Sequence, residues 1–104
     1  MAEEKECPMY RFCKVVGSKW SLVIVRSLSE NETVGFNELL RMIKTNPRTL
    51  SLKLKELEKN GLVERRVLEQ ERPIRVLYSL TEKGKEAINV EKFISRWVSR
   101  WNPG

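Results

Sequence analysis

The chain has 104 residues, 40% hydrophobic and 33% charged, with a formal net charge of +6; that length fits one small domain, 1–104, whose modest core would gain from burial against a second copy. It has no histidine, two cysteines and none of the patterns GxxxxGK[ST], GxGxxG or GxSxG, so we expect no enzyme, no metal site and no cofactor. No run reaches the roughly 18 apolar residues of a membrane helix, and the start MAEEKE is unlike a signal peptide, so a soluble cytoplasmic protein without a membrane partner is expected.

Cys7-Pro8 opens the first helix, because proline at the first helical position loses only an N–H that would be unpaired there anyway. Met9, Phe12, Cys13 and Val16 follow at i, i+3, i+4 and i+7 as one apolar face, and Gly17 ends the helix. Ser18 caps a second helix, SKWSLVIVRSLSE, in which Trp20, Val23, Ile24, Ser27 and Leu28 share a side and Leu22 and Val25 widen it. That width predicts a central, largely buried helix. Asn31 to Gly35 reads as a loop or a short extended piece. FNELLRMIK then predicts a third helix with Asn37 as its cap and Leu39, Leu40 and Ile43 facing inward.

Asn46-Pro47 supplies a cap and a first-position proline for a fourth helix, which Asn60-Gly61 terminates. Two helices joined by so short a turn form a helix-turn-helix arrangement. Leu62–Val67 and Ile74–Leu80, rich in β-branched residues and separated by EQER and Pro73, predict a β-hairpin. Ile74, Val76, Tyr78 and Leu80 alternate with Arg75, Leu77 and Ser79 in its second strand, whereas the first strand is apolar on both phases and leaves its inward face open.

Thr81 caps a last helix in which Ala87, Val90, Ile94, Trp97 and Trp101 recur at spacings of three and four, a heptad seam. With Phe93 and Val98 beside them, these residues exceed what so short a chain hides by itself. Packing on the first helix would cover part of the seam, and a symmetric homodimer would cover the rest.

The order CP, GSKWSLVIVRSL, FNELLRMI, RTLSLKLKELEKNGLVERR, VLYSLTEKG resembles the HxlR-type transcriptional regulators, from Cys7 to about Ala87. The resemblance implies an α+β, mainly helical fold: a winged helix-turn-helix (18–80) flanked by an N-terminal helix (1–17) and a long C-terminal dimerisation helix (81–104). It also implies a homodimer that binds double-stranded DNA, with Met9, Phe12, Val90, Phe93, Ile94, Trp97 and Trp101 as interface candidates. One departure is that Pro73 is followed by Ile74, where many relatives carry a proline pair in the wing.

The charge pattern suits that reading, since residues 1–40 carry −1, 41–75 carry +5 and 76–104 carry +2. In the fourth helix Leu50, Leu54 and Leu57 must face the core, which leaves Arg48, Thr49, Leu52, Lys55, Glu56 and Lys59 on the opposite side, with Ser51 and Lys53 on the flanks. As a recognition helix over about 47–60, it would place Arg48 and Thr49 at base edges, Leu52 against a thymine methyl, and Lys55 and Lys59 on phosphates. An ordinary solvated helix face has the same composition. In the wing, 62–80, Arg66, Arg72 and Arg75 are candidates for the backbone or minor groove, while Arg65 could pair with Glu64 or Glu82. A winged helix serving protein or RNA contacts, without reading DNA sequence, is the alternative function.

Cys7, at a helix start near Lys5 and Arg11 but also near Glu4 and Glu6, is placed either as a reactive thiol or as a structural cap. In some members of the resembled family the matching cysteine senses oxidants or electrophiles, which makes Cys7 a candidate redox sensor. Cys13 reads as a small hydrophobe. Within one helix the two sulfurs would stand about 9 Å apart along the axis, beyond disulfide reach, so a bridge would join two chains. The residues name no small-molecule effector.

Overall fold

The computed structural model describes residues 7–101; the remaining residues of the expected domain, 1–6 and 102–104, lie outside this range. Helix α1 (Pro8–Val16) begins after Cys7, whose carbonyl accepts the Arg11 N–H at 3.0 Å, and stops at Gly17. Of its expected apolar face only Val16 is buried; Phe12 is half-buried, and Met9 and Cys13 are exposed.

Helix α2 (Lys19–Glu30) is capped by Ser18, whose hydroxyl accepts the Ser21 N–H at 3.2 Å. It is the central helix, packed against α1, the three later helices and the last strand. Its buried side is Ser21, Ile24, Val25 and Leu28, rotated from the expected one: Trp20, Val23 and Ser27 are half-buried and Leu22 is exposed. The rotation is possible because Ser21 is not left unpaired, its hydroxyl accepting from Ser18 Oγ at 2.8 Å.

Strand β1 (Val34–Gly35) leads directly into α3 (Phe36–Ile43). Asn37 is not its cap. Pairing of Val34 with Tyr78 keeps the chain extended as far as Gly35, so the helix starts at Phe36, and the Glu38 carboxylate reaches back to accept the Gly35 N–H at 3.1 Å. Leu39 and Ile43 are buried and Leu40 half-buried. Lys44 takes a left-handed conformation, φ 54°, which turns the chain towards α4 (Pro47–Lys59) within three residues. Asn46 Oδ1 accepts the Thr49 N–H at 2.8 Å and caps α4. At its far end Gly61, φ 79°, takes the left-handed turn that side chains resist.

Strands β2 (Val63–Leu68) and β3 (Arg75–Leu80) form the hairpin, and the sheet order is β1-β3-β2, antiparallel throughout. Opposite residues share a face, so the pairs Val63–Leu80, Arg65–Tyr78 and Val67–Val76 settle the inward side of the first strand. Ile74 does not extend the alternation: it lies before β3 and is exposed, beside a cis Arg72–Pro73 bond.

The core is a single cluster in which Ile24, Leu39, Leu50, Leu54 and Leu57 are fully enclosed, each such side chain being worth roughly 1.5–3 kcal/mol. The last helix, α5 (Glu82–Trp101), joins it only through its first two turns: Gly84 and Ile88 are buried and Ala87 is half-buried. Its start is locked to the α4–β2 corner. Thr81 donates its N–H to the Leu62 carbonyl at 3.0 Å, its hydroxyl donates to the Gly61 carbonyl, and Lys83 Nζ reaches the Asn60 carbonyl at 2.8 Å. Gly84 packs so closely on Leu62 that any Cβ there would overlap the Leu62 carbonyl oxygen.

Candidate nucleic-acid interface

Helix α4 divides as its spacing requires. Leu50, Leu54 and Leu57 are buried, while Arg48, Leu52, Lys55, Glu56 and Lys59 are exposed and Thr49, Ser51 and Lys53 half-buried. Leu52 is 53% exposed, an apolar side chain among charged ones. Lys53 Nζ lies 3.4 Å from Glu56 Oε2, so this flank residue is occupied locally. Arg48, in the first turn, stands one residue past Pro47 at the end where a recognition helix meets bases.

In the hairpin the candidate cations differ from one another. Arg66 is exposed on β2, on the face opposite to Val63 and Arg65. Arg72 donates from Nη1 to the Glu69 and Glu71 carbonyls at 2.7 and 2.9 Å, which folds it onto the tip of its own turn. The Arg75 guanidinium lies 3.6 Å from Glu38 and 3.9 Å from Glu71, exposed pairs of small energetic weight. Arg65 does not pair with Glu64 or Glu82 among the described residues. Glu64 is its sequence neighbour and so points to the other face, Glu82 lies 3.5 Å from Lys85, and Arg65 stands opposite Tyr78 beside α4.

Apart from Phe12, which is half-buried against the core, the candidate dimer residues lie outside it. Phe93, Trp97 and Trp101 are 65%, 59% and 66% exposed, and Met9, Val90, Ile94 and Val98 are exposed as well. Between α1 and α5 runs an apolar groove in which Met9, Phe12 and Cys13 face Ile94. Both thiols are exposed; α1 touches the core with Phe12, Val15 and Val16 and turns Cys13 into the apolar groove. The charges at positions 4–6 that bear on Cys7 lie outside the described residues. No helix there is long and apolar enough to cross a membrane, and no acidic, cysteine or histidine cluster suits a metal ion.

Two features had no usable sequence signal. Arg26 and Glu91, 65 positions apart, form an ion pair between α2 and α5, and the Ser95 hydroxyl donates to the same carboxylate at 2.9 Å. The meeting of Arg65, Tyr78 and α4 depends on a hairpin register that the two-phase first strand does not specify.

The family model described as HxlR-like helix-turn-helix matches residues 15–104. An HTH-type transcriptional regulator of Halalkalibacterium halodurans is 37% identical over 94 residues, which are 89% of this chain and 82% of the relative. The reduced form of the transcriptional regulator YodB from Bacillus subtilis superposes with a TM-score of 0.82 at 34% identity, covering 94% of this chain and 97% of that one. The oxidised form of the redox regulator HypR gives 0.79 at 32% identity, over 90% and 96% of the two chains.

Proposed function

The chain belongs to the HxlR-like helix-turn-helix family, and from that premise we propose that it is a transcriptional regulator that binds double-stranded DNA sequence-specifically as a homodimer. Helix α4, about 47–60, lies in the major groove, and the wing, 62–80, lies on the backbone or the neighbouring minor groove. Carrying this reading is the outward side of α4, where Arg48, Leu52, Lys55 and Lys59 stand exposed over a fully buried leucine stripe. The whole chain, 1–104, acts as one unit in the cytoplasm, with α1 and α5 pairing two copies.

Fluorescence anisotropy on the DNA upstream of its own and adjacent genes, across salt concentrations, tests the proposal. A specific complex whose affinity falls steeply with salt is expected, with a palindromic footprint of two half-sites about one helical turn apart. Binding without preference for sequence would favour a module for protein or RNA contacts instead.

The exposure of Cys7 at the start of α1, together with relatives described as a redox regulator and as a regulator in reduced form, supports a redox- or electrophile-responsive thiol. Oxidant or quinone should change DNA affinity in the wild type and not in Cys7→Ser; equal responses in both would end this part of the reading.

A further inference from the structure

Beside the outward side of α4 the chain forms a cleft of about 250 Å³, lined by Ser51, Lys55, Glu58, Arg65 and Tyr78. Three of these come from one stripe of α4, at i, i+4 and i+7. The other two are the directly paired residues of β2 and β3, whose side chains stand on the same face of the sheet. Lys55 belongs both to this cleft and to the exposed side of α4, so the cleft opens where a duplex lying along α4 would bring a sugar-phosphate strand.

The chemistry of the lining is that of an oxyanion seat. Arg65 offers a planar fork of donors, Lys55 an ammonium, and Ser51 and Tyr78 one hydroxyl each. Among the described residues neither Lys55 nor Arg65 makes an ion pair, whereas Lys53 and Arg75 do. Glu58 is the one carboxylate present, and it opposes a bound anion, which sets the seat towards Arg65 and Lys55. A guanidinium matches the two unesterified oxygens of a phosphodiester by parallel hydrogen bonds.

We propose that this cleft seats one backbone phosphate of the bound duplex, gripped by Arg65 with Lys55 beside it and the Ser51 and Tyr78 hydroxyls completing the donor set. The inference rests on the DNA-binding reading and deepens it. Arg65 is then a phosphate ligand of the hairpin ahead of Arg72 and Arg75, whose guanidinium groups are already engaged, while Arg66, also without an ion pair among the described residues, stands on the opposite face of the sheet and outside the cleft. Contact with a phosphate positions the protein without reading sequence.

The test uses the full chain and a duplex selected by the wild type from a random pool. Arg65→Ala should weaken cognate and random duplexes by the same factor and flatten the salt slope by about 1 for each bound subunit. Tyr78→Phe, which deletes only a hydroxyl, should lower affinity less, and Glu58→Gln should raise it. A methylphosphonate scan supplies the readout that a merely structural role would leave unmoved: one neutralised phosphate per half-site should impair the wild type and make no difference to Arg65→Ala. If folded Arg65→Ala keeps the wild-type slope and the wild-type scan, the seat is refuted while DNA binding stands. A wild type that binds no duplex overturns both readings. Competition by inorganic phosphate well beyond chloride at equal ionic strength would reassign the cleft to a small anion and overturn its role in the complex.

Discussion

Helices α4 and α5 each bury one stripe, yet what they leave in water differs in kind. Outside α4 stand Arg48, Lys55 and Lys59 with the carboxylate of Glu56 and a single leucine among them; outside α5 stand Val90, Phe93, Ile94, Trp97 and Trp101, adjoining the groove beside α1. One exposed leucine on a surface is ordinary. A continuous aromatic and aliphatic strip is not, because every such side chain left in water forfeits a free energy of the order of 1.5–3 kcal/mol. The two faces therefore suit different partners, a polyanion for α4 and an apolar surface for α5, and in the proposed homodimer a second α5 with the same strip would supply the latter.

The largest effect should come from breaking the apolar side. Ile94→Glu with Trp97→Glu places two carboxylates in the proposed seam, and the dimer dissociation constant should rise more than about 100-fold, as hot-spot losses above 2 kcal/mol each would give. Sedimentation would show it, and DNA affinity should fall with the loss of the second half-site. A variant still dimeric at micromolar concentration would remove α5 as the interface.

Next comes a contrast within α4 itself. Leu54 is 1% exposed and Leu52 53%, so Leu54→Ala should cost about 2–5 kcal/mol in chemical denaturation, and Leu52→Ala at most about 0.5 kcal/mol. Leu52→Ala should nonetheless lower affinity for the cognate duplex. Equal stability losses would mean that the helix is not divided as described.

The two faces are joined at one place, the corner where Gly84 meets Leu62. Gly84→Ala forces a Cβ onto a backbone carbonyl, and backbone cannot move aside as a flexible side chain would. A loss of about 1–3 kcal/mol is expected from this overpacking, measured as a lower denaturation midpoint at unchanged slope. An unchanged midpoint would show that α5 can slide at its base.

Much of this was legible in the sequence because it depends on local chemistry. Asn46-Pro47, Asn60-Gly61 and the spacing of Leu50, Leu54 and Leu57 fix α4 within a residue or so, since caps and periodicity act over one or two turns. Asn37 misled because the start of α3 is set by strand pairing between Val34 and Tyr78, 44 positions away. Ser21 was missed for a related reason: a serine looks like surface until its partner, Ser18, is seen to satisfy it. In the candidate site, the α4 face could be read from angles alone. Which hairpin arginines stand unengaged could not, because Arg65, Arg66, Arg72 and Arg75 are of one type and only register and turn geometry separate them.

The smallest effects sharpen the polar side. Arg48 lies in the first turn of α4 and Lys59 in the last, with about 16 Å of helix between them, too far apart to meet the same part of a duplex. A guanidinium near base edges is held by two directional bonds to a guanine, so Arg48→Ala should cost about 1–3 kcal/mol on the cognate duplex and much less on random DNA. An ammonium near a phosphate is held by charge alone, so Lys59→Ala should weaken both duplexes by a similar, smaller factor and flatten the salt slope by about 1. Titrations of both variants on both duplexes at two salt concentrations separate these outcomes. Equal losses on cognate and random DNA for Arg48→Ala would remove its base-reading role and leave base contact from α4 to Thr49 and Leu52.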